Sequence, residues 1–311
     1  MPRYSLHPNT KSALWIVIGT LACVTAVVAF IHAPVFQAQA DNTLVFMRDD
    51  GTDMEIVTMD VDGRNEHILT NNEYDDWAPV WTPDKTQIVF HSNRDGFDGI
   101  YLMNRDGSNA ELISPYGHFA RFPSVSPDGR YIAFEMFMGT VNGRDNWDIF
   151  VKAIHCGAME QITFGPYHEG GAAWSPDGTK LAYHSDDAAT AELGFDIYVM
   201  DFTTGETQRM TNHPEAMDVW PQWSPDGSEM IFHSERDGNS EIYMMNADGT
   251  NQHNLSNNPA LDRVPRFTAD GNQIVFRSER NGDSEIYIMN LDGSNAHPLT
   301  DNNVTDMHPD S

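Results

Sequence analysis

The sequence predicts an all-β fold: a six-bladed β-propeller of four-stranded antiparallel blades, its first blade shared between the chain ends, preceded by an N-terminal hydrophobic leader. Three observations predict it. A unit of about 45 residues recurs to the end of the chain, Asp-Gly pairs cut each unit into four short apolar runs, and the two ends carry complementary fragments of one unit.

The clearest unit is Asp218 to Ser256, with runs Pro221 to Ser224, Glu229 to Ser234, Glu241 to Asn246 and His253 to Ser256. The separators Asp226-Gly227, Asp237-Gly238 and Asp248-Gly249 are hairpin signals, because Gly tolerates positive φ and Asp bonds back to its own turn. Further copies begin at Asp76 and Asp262, with looser ones around Pro123 and Ala172. The first residues of the innermost runs, Pro79, Pro123, Ala172, Pro221, Pro265 and Pro309, recur every 44 or 49 residues. One such sheet cannot bury both faces until neighbours pack on it, which favours a closed ring.

Leu44 to Thr70 holds only the second, third and fourth runs of a unit, and Asp306 to Ser311 starts a first run. Together they complete a sixth blade and remove the exposed edges of an open array. The chain stops two residues after Pro309, so the ring is expected to close mostly by face-to-face packing, with a weak seam.

The repeat resembles that of the TolB-like six-bladed propeller family, roughly D-x-x-P-x-W-S-P-D-G, an Ile-x-Phe strand, S-x-R-D-G and I-Y-x-M-N-x-D-G. It is matched by Asp218, Pro221, Trp223 to Gly227, Ile231-Phe232, Ser234 to Gly238 and Ile242 to Gly249. The resemblance covers most of residues 44 to 309 and implies a cell-envelope binding partner of the peptidoglycan-associated lipoprotein kind. The family's namesake carries an α/β domain ahead of its propeller, and the roughly 270 residues after the leader match six units with no room for one.

Residues 1–40 are expected to be a signal peptide or membrane anchor, and residues 41–311 the propeller. Arg3 and Lys11 precede an uncharged apolar run from Ala13 to Ile31, with no acid before Asp41. That run exceeds a usual signal core and nearly spans a bilayer, and its basic flank places the propeller outside the cytoplasm. Ala38-Gln39-Ala40 offers a cleavage site, so anchor and cleaved signal both stay open. Thr20-Leu21-Ala22 before Cys23 makes a poor lipoprotein box, and Cys156 is the only cysteine beyond the leader, so no internal disulfide is expected. The formal charge of −28 becomes −30 without the leader, which repels nucleic acid and anionic lipid. A monomer is expected.

Strand order places the turns after first and third strands on the bottom face, and the second-to-third and blade-to-blade loops on top. The second-to-third loop is long in two adjacent blades, Met136 to Asp148 and Asp186 to Asp196, marking that rim for binding. Three residues before the markers stand Asp76, Ala120, Glu169, Asp218, Asp262 and Asp306. The five acids would ring the channel mouth and draw in a Lys- or Arg-bearing peptide or Ca²⁺, with no other cofactor called for. Alternatively each serves its own loop or pairs with Arg94, Arg236 or Arg280 of the S-x-R motifs, which are too few for all five.

His91, His184 and His233 occupy equivalent second-strand places in different blades. Each stands about 4.7 Å outward of an innermost strand, too dispersed for one ion, so interblade hydrogen bonding is expected. Trp81, Trp174, Trp223 and Phe267, with Val125 as a smaller filler, read as interblade core. No G-x-S-x-G elbow or ligand-spaced Cys/His pair appears, favouring a noncatalytic propeller that docks a protein or peptide on its top face. The alternative is a metal-dependent enzyme acting on a carbohydrate or lactone, with Glu169, Asp218 and His168 as first ligand or base candidates.

Overall fold

The computed structural model describes residues 41–186, 194–213 and 216–311. The leader, and most of the expected Asp186 to Asp196 loop, lie outside the described residues. Blade 1 holds β1 (Thr43–Asp49), β2 (Met54–Asp60) and β3 (His67–Ile68); blade 2 holds β4 (Asp76–Trp81), β5 (Gln87–Ser92), β6 (Gly99–Asn104) and β7 (Glu111–Leu112). Blade 3 is β8 (Ala120–Val125), β9 (Tyr131–Val141), β10 (Arg144–Ala153) and β11 (Met159–Gln161). Blade 4 is β12 (Glu169–Trp174), β13 (Lys180–Ser185), β14 (Asp196–Asp201) and β15 (Glu206–Arg209). Blade 5 is β16 (Asp218–Trp223), β17 (Glu229–Ser234), β18 (Glu241–Asn246) and β19 (His253–Asn254). Blade 6 is β20 (Asp262–Phe267), β21 (Gln273–Ser278), β22 (Glu285–Asn290) and β23 (His297–Pro298), after which β24 (Thr305–Asp310) returns as the innermost strand of blade 1.

The middle strands are apolar on consecutive residues because each blade is covered on both faces. Ile88, Val89 and Phe90 are all fully buried, although alternate side chains of a strand point to opposite faces. Six apolar clusters each span two neighbouring blades. One joins Val45 and Ile56 to Trp81 and Phe90; another joins Ala182 and Ile197 to Trp223 and Phe232. The ring closes where Leu44, Phe46 and Val57 of blade 1 meet Val275, Ile286 and Ile288 of blade 6.

The turns follow the sequence chemistry. Asp226 accepts bonds from the Ser224 hydroxyl and the Ser228 N–H, and the Ser224 oxygen accepts the Glu229 N–H, closing the turn at Gly227. Gly293 is obligatory for a different reason: at φ 78° its ideal Cβ would lie 2.1 Å from the Leu255 carbonyl oxygen of blade 5, so the turn of one blade rests on the backbone of the last.

The weak seam is corrected. The closing strand is six residues long, like the other innermost strands, and pairs with β1 through Arg48↔Asp306 and Val45↔Asp310. Pairing requires backbone groups rather than a large side chain, so Ser311 at the position of Trp81 does not prevent it. Side chains reinforce the join. Arg48 binds Asp306 through Nε at 2.7 Å and Nη2 at 2.9 Å, Asp310 accepts the Trp81 N–H at 2.8 Å, and the Ser311 hydroxyl reaches the Phe267 carbonyl at 2.6 Å.

Every innermost strand carries a register shift two residues in. The bulged residues are Ala78, Phe122, Gly171, Trp220, Val264 and His308, all at positive φ. The histidines answer them as expected. His91, His184 and His233 accept at Nδ1 the N–H groups of Phe122, Trp220 and Val264 in the next blade, at 3.4, 3.5 and 3.4 Å. Glu135 Oε1 and Met47 Sδ serve Gly171 and Ala78 from the same slot, at 3.0 and 3.4 Å.

Asp306→Ala is expected to cost about 3–5 kcal/mol in urea unfolding, because it leaves the Arg48 guanidinium buried beside Glu66 alone. Ala78→Gly, at φ 45°, is expected to be neutral or stabilising by up to about 1 kcal/mol, whereas Ala133→Gly in β9 destabilises by at least that much.

Candidate functional site

The top face is where the innermost strands begin, and the five predicted acids are all buried there. Four carry a guanidinium. Asp76 binds Arg94 at 2.7 Å, Asp218 binds Arg236 at 2.8 Å, Asp262 binds Arg280 at 2.7 Å and Asp306 binds Arg48. The S-x-R arginines are three, as counted from sequence, and the fourth clamp is Arg48, which stands on β1 at the place of the motif serine, two residues ahead of the motif arginine. Glu169 has no such partner among the described residues. Burial, then the neighbouring Asp148 carboxylate, pushes it up to about 8. The five carboxylates are therefore withdrawn from solvent and do not form an open acidic ring at the mouth of the channel.

The predicted long loop Met136 to Asp148 is not a loop. It is the extended end of the β9–β10 hairpin, paired as far as Val141↔Arg144 and turned by Asn142 and Gly143 at φ 53° and 80°. Asn-Gly is the dipeptide a two-residue hairpin turn requires, so the strands extend into an arm above the ring. Met138 and Val141 on the arm, and Phe119 beside it, are exposed.

From the arm an unbroken run of rings leads to the axis. Phe119 meets Phe137, Phe137 meets Trp147 at 5.2 Å, Trp147 meets His168, His168 meets Phe195 at 5.5 Å, and Phe195 meets His184. His184 contacts Trp220, which forms with Phe122 and His308 a closed triad with centroids 4.8, 5.2 and 5.8 Å apart. The triad residues are bulged residues from alternate blades. It stops the central channel, leaving a cavity of about 250 Å³ on the bottom side, bordered by Trp81, Trp174, Arg266 and Asp310.

Beneath the rings sits a charged knot that the sequence reading missed. Arg121 stacks on Trp147 with its guanidinium carbon 3.6 Å from the ring centroid, donates to Glu135 Oε2 at 2.9 Å and lies 3.2 Å from His168 Nε2. Glu135 is fully enclosed. Burial alone would raise its pKa, but the bond with His168 and the Arg121 charge outweigh that and hold it low. Glu135, His168 and His184 offer ligand atoms within 4.8 Å of one another, the one such metal-capable group among the described residues. It differs from the expected set, since His168 is included while Glu169 and Asp218 are not. With a guanidinium already on the Glu135 carboxylate, the trio reads as an ion-pair network in which a divalent cation would face a fixed positive charge.

The fold and site define a six-bladed propeller with a plugged axis and, among the described residues, one elaborated rim. The TolB beta propeller domain model matches residues 7–142, 122–253 and 196–311, so the chain belongs to that family. The Tol-Pal system protein TolB of Francisella tularensis is 29% identical over 110 residues, covering 35% of this chain and 25% of that one. The chain spans less than half the length of the curated relatives it matches. Among solved structures, TolB from Acinetobacter baumannii superposes with a TM-score of 0.74 at 22% identity, covering 87% of this chain and 66% of that one. An oligogalacturonate lyase in complex with manganese superposes at 0.55 and 16% identity, covering 80% and 86%. Both likenesses concern the fold.

Burial pushes His91, His184 and His308 down to about 3, and His233 well below its ordinary value. Below about pH 6.5 the unfolded chain takes up protons that the folded chain refuses, so their contribution to stability is full above that pH and declines toward pH 3. Glu169 acts in the opposite sense: the native state keeps a proton that the unfolded carboxyl releases, so stability falls as pH rises from about 4.5 to 8. In urea unfolding across pH, His233→Asn is expected to flatten the acid limb and Glu169→Gln the neutral limb. A slope unchanged in either variant contradicts that assignment.

Proposed function

We infer that the chain is a noncatalytic binding propeller that works outside the cytoplasm and docks a protein partner on its top face. The observation that carries this reading is the arm. A two-stranded extension exposes Met138 and Val141 next to exposed Phe119 and continues into an aromatic run, on one rim only among the described residues. Exposed apolar groups rimmed by polar ones are what a docking surface presents, and aromatic anchors dominate binding energy at such surfaces. Family membership supports a protein partner, since a matching relative is a component of a Tol-Pal system. The leader, with basic residues ahead of its apolar run, supports export or anchoring. Among the described residues no helix is long and apolar enough to cross a membrane.

The charge inventory favours binding over metal chemistry. Four of the five ring acids are spent on arginines, and Arg121 competes for Glu135. Mn²⁺ or Ca²⁺ at millimolar concentration is expected to leave the melting temperature of the propeller within about 1 °C, and EDTA to do the same. A stoichiometric ion with a shift of several degrees would instead support the lyase-like reading.

The docking test uses purified peptidoglycan-associated lipoprotein from the same source organism. Phe119→Ser with Met138→Ser is expected to weaken its binding by at least about tenfold, more than 1 kcal/mol, in calorimetry. Failure of the unaltered propeller to bind it, or equal binding by the unaltered and altered propellers, contradicts the proposal.

A further inference from the structure

The junctions between blades follow a charge rule. Each can bring the acid that opens an innermost strand near an acid on the third strand of the preceding blade, at or near its start except in blade 3, where the arm lengthens β10 ahead of Asp148. Asp76 lies in the field of Glu55, Asp306 in that of Glu285, and Glu169 in that of Asp148. The repeat gives Asp218 and Asp262 the counterparts Asp196 and Glu241. Where acids meet, a guanidinium is present: Arg94 on Asp76, Arg236 on Asp218 with Arg209 on Asp196, Arg280 on Asp262, Arg48 on Asp306. Where the two places are Gly99 and Ala120, between blades 2 and 3, no clamp is needed.

The junction of blades 3 and 4 breaks the rule. Asp148 and Glu169 share a hydrogen bond with each other, and Gln161 donates to Asp148 Oδ2, but no cation among the described residues reaches Asp148 Oδ1 or Glu169 Oε2, with the residues 2% and 4% exposed. The motif that reads Ser234-Glu235-Arg236 in blade 5 reads Ser185-Asp186-Asp187 here, so the sequence itself removes the arginine. Arg144 is directed to Asp186, at 3.9 Å, and Arg121 to Glu135.

A cavity of about 330 Å³ opens at this place. Glu169, Thr163 and Ser185 supply its polar lining, and Phe164, Tyr167 and Tyr198 its aromatic one. Phe164 is 70% exposed at the rim. Aromatic faces around a buried acidic pair with no cationic partner are the environment that binds an ammonium or guanidinium group, which replaces the proton held there. We propose that this pocket receives an arginine or lysine side chain of the docked protein, which supplies to Glu169, backed by the buried Asp148, the cation that the other acidic junctions draw from their own blades. Arginine is the better fit, because its planar fork can pair with the Glu169 carboxyl while it stacks on the aromatic lining. This rests on the protein-binding reading and adds to it a specific anchor.

The test titrates the propeller with the blocked peptides Gly-Arg-Gly, Gly-Lys-Gly and Gly-Gln-Gly, followed by NMR at about pH 8.5, where the Glu169 carboxyl is ionised. The arginine peptide is expected to bind, the lysine peptide more weakly and the glutamine peptide not at all. Glu169→Gln and Phe164→Ala are each expected to weaken arginine binding at least about tenfold, while Phe119→Ser leaves it unchanged. Phe164 lies at the surface, so its variant reports on the pocket without a folding penalty. Absence of arginine-peptide binding, or binding by both pocket variants as tight as that of the unaltered propeller, overturns the pocket. Loss of whole-partner binding in the arm variant with full retention in Glu169→Gln also overturns it, while leaving the docking proposal in place.

Discussion

A four-stranded blade has two apolar faces and no means of covering either, so every blade depends on the next, and the last dependence is met only where β24 lies on β1. That join combines a backbone ladder, an apolar cluster from both blades and the Arg48–Asp306 ion pair. The ion pair matters through its geometry. Two bonds to one carboxylate and a second acid at Glu66 compensate a guanidinium that is almost wholly removed from water. The ring can therefore tolerate a small residue, Ser311, at the end of its closing strand.

The same economy of charge organises the top face. Acids at strand starts face acids of the preceding blade, and at every such meeting but that of blades 3 and 4 an arginine is paired with them. The rim where blades 3 and 4 meet departs in three ways together: it carries the arm, it has the aromatic run, and its acidic junction has no arginine among the described residues. Departures from a repeat that cluster in one place are better explained by a local task than by drift, because the remaining repeats show what stability alone requires.

The bulged innermost strands connect the ring to its plug. Positive φ at Phe122, Trp220, Val264 and His308 is costly for side chains of this size, and the hydrogen bonds from the preceding blade help to hold it where they occur. The bulge turns Phe122, Trp220 and His308 toward one another, so the strained backbone and the closed channel are one feature.

The sequence by itself determined the repeat, the blade count, the shared first blade, the hairpin turns and the interblade role of His91, His184 and His233, because each depends on short-range spacing or on one residue type in one repeating place. It also named Arg94, Arg236 and Arg280 as partners for the ring acids, since the S-x-R motif recurs. Only the tertiary structure decided what depends on two repeats meeting. Arg48 lies outside the motif register, Asp148 stands in one blade and Glu169 in the next, and Phe122, Trp220 and His308 come together from alternate blades across the axis. The strength of the seam was misjudged for the same reason: hydrogen bonding along β24 is set by the backbone of β1, more than 250 residues away in the chain, and no local pattern in Asp306 to Ser311 records it.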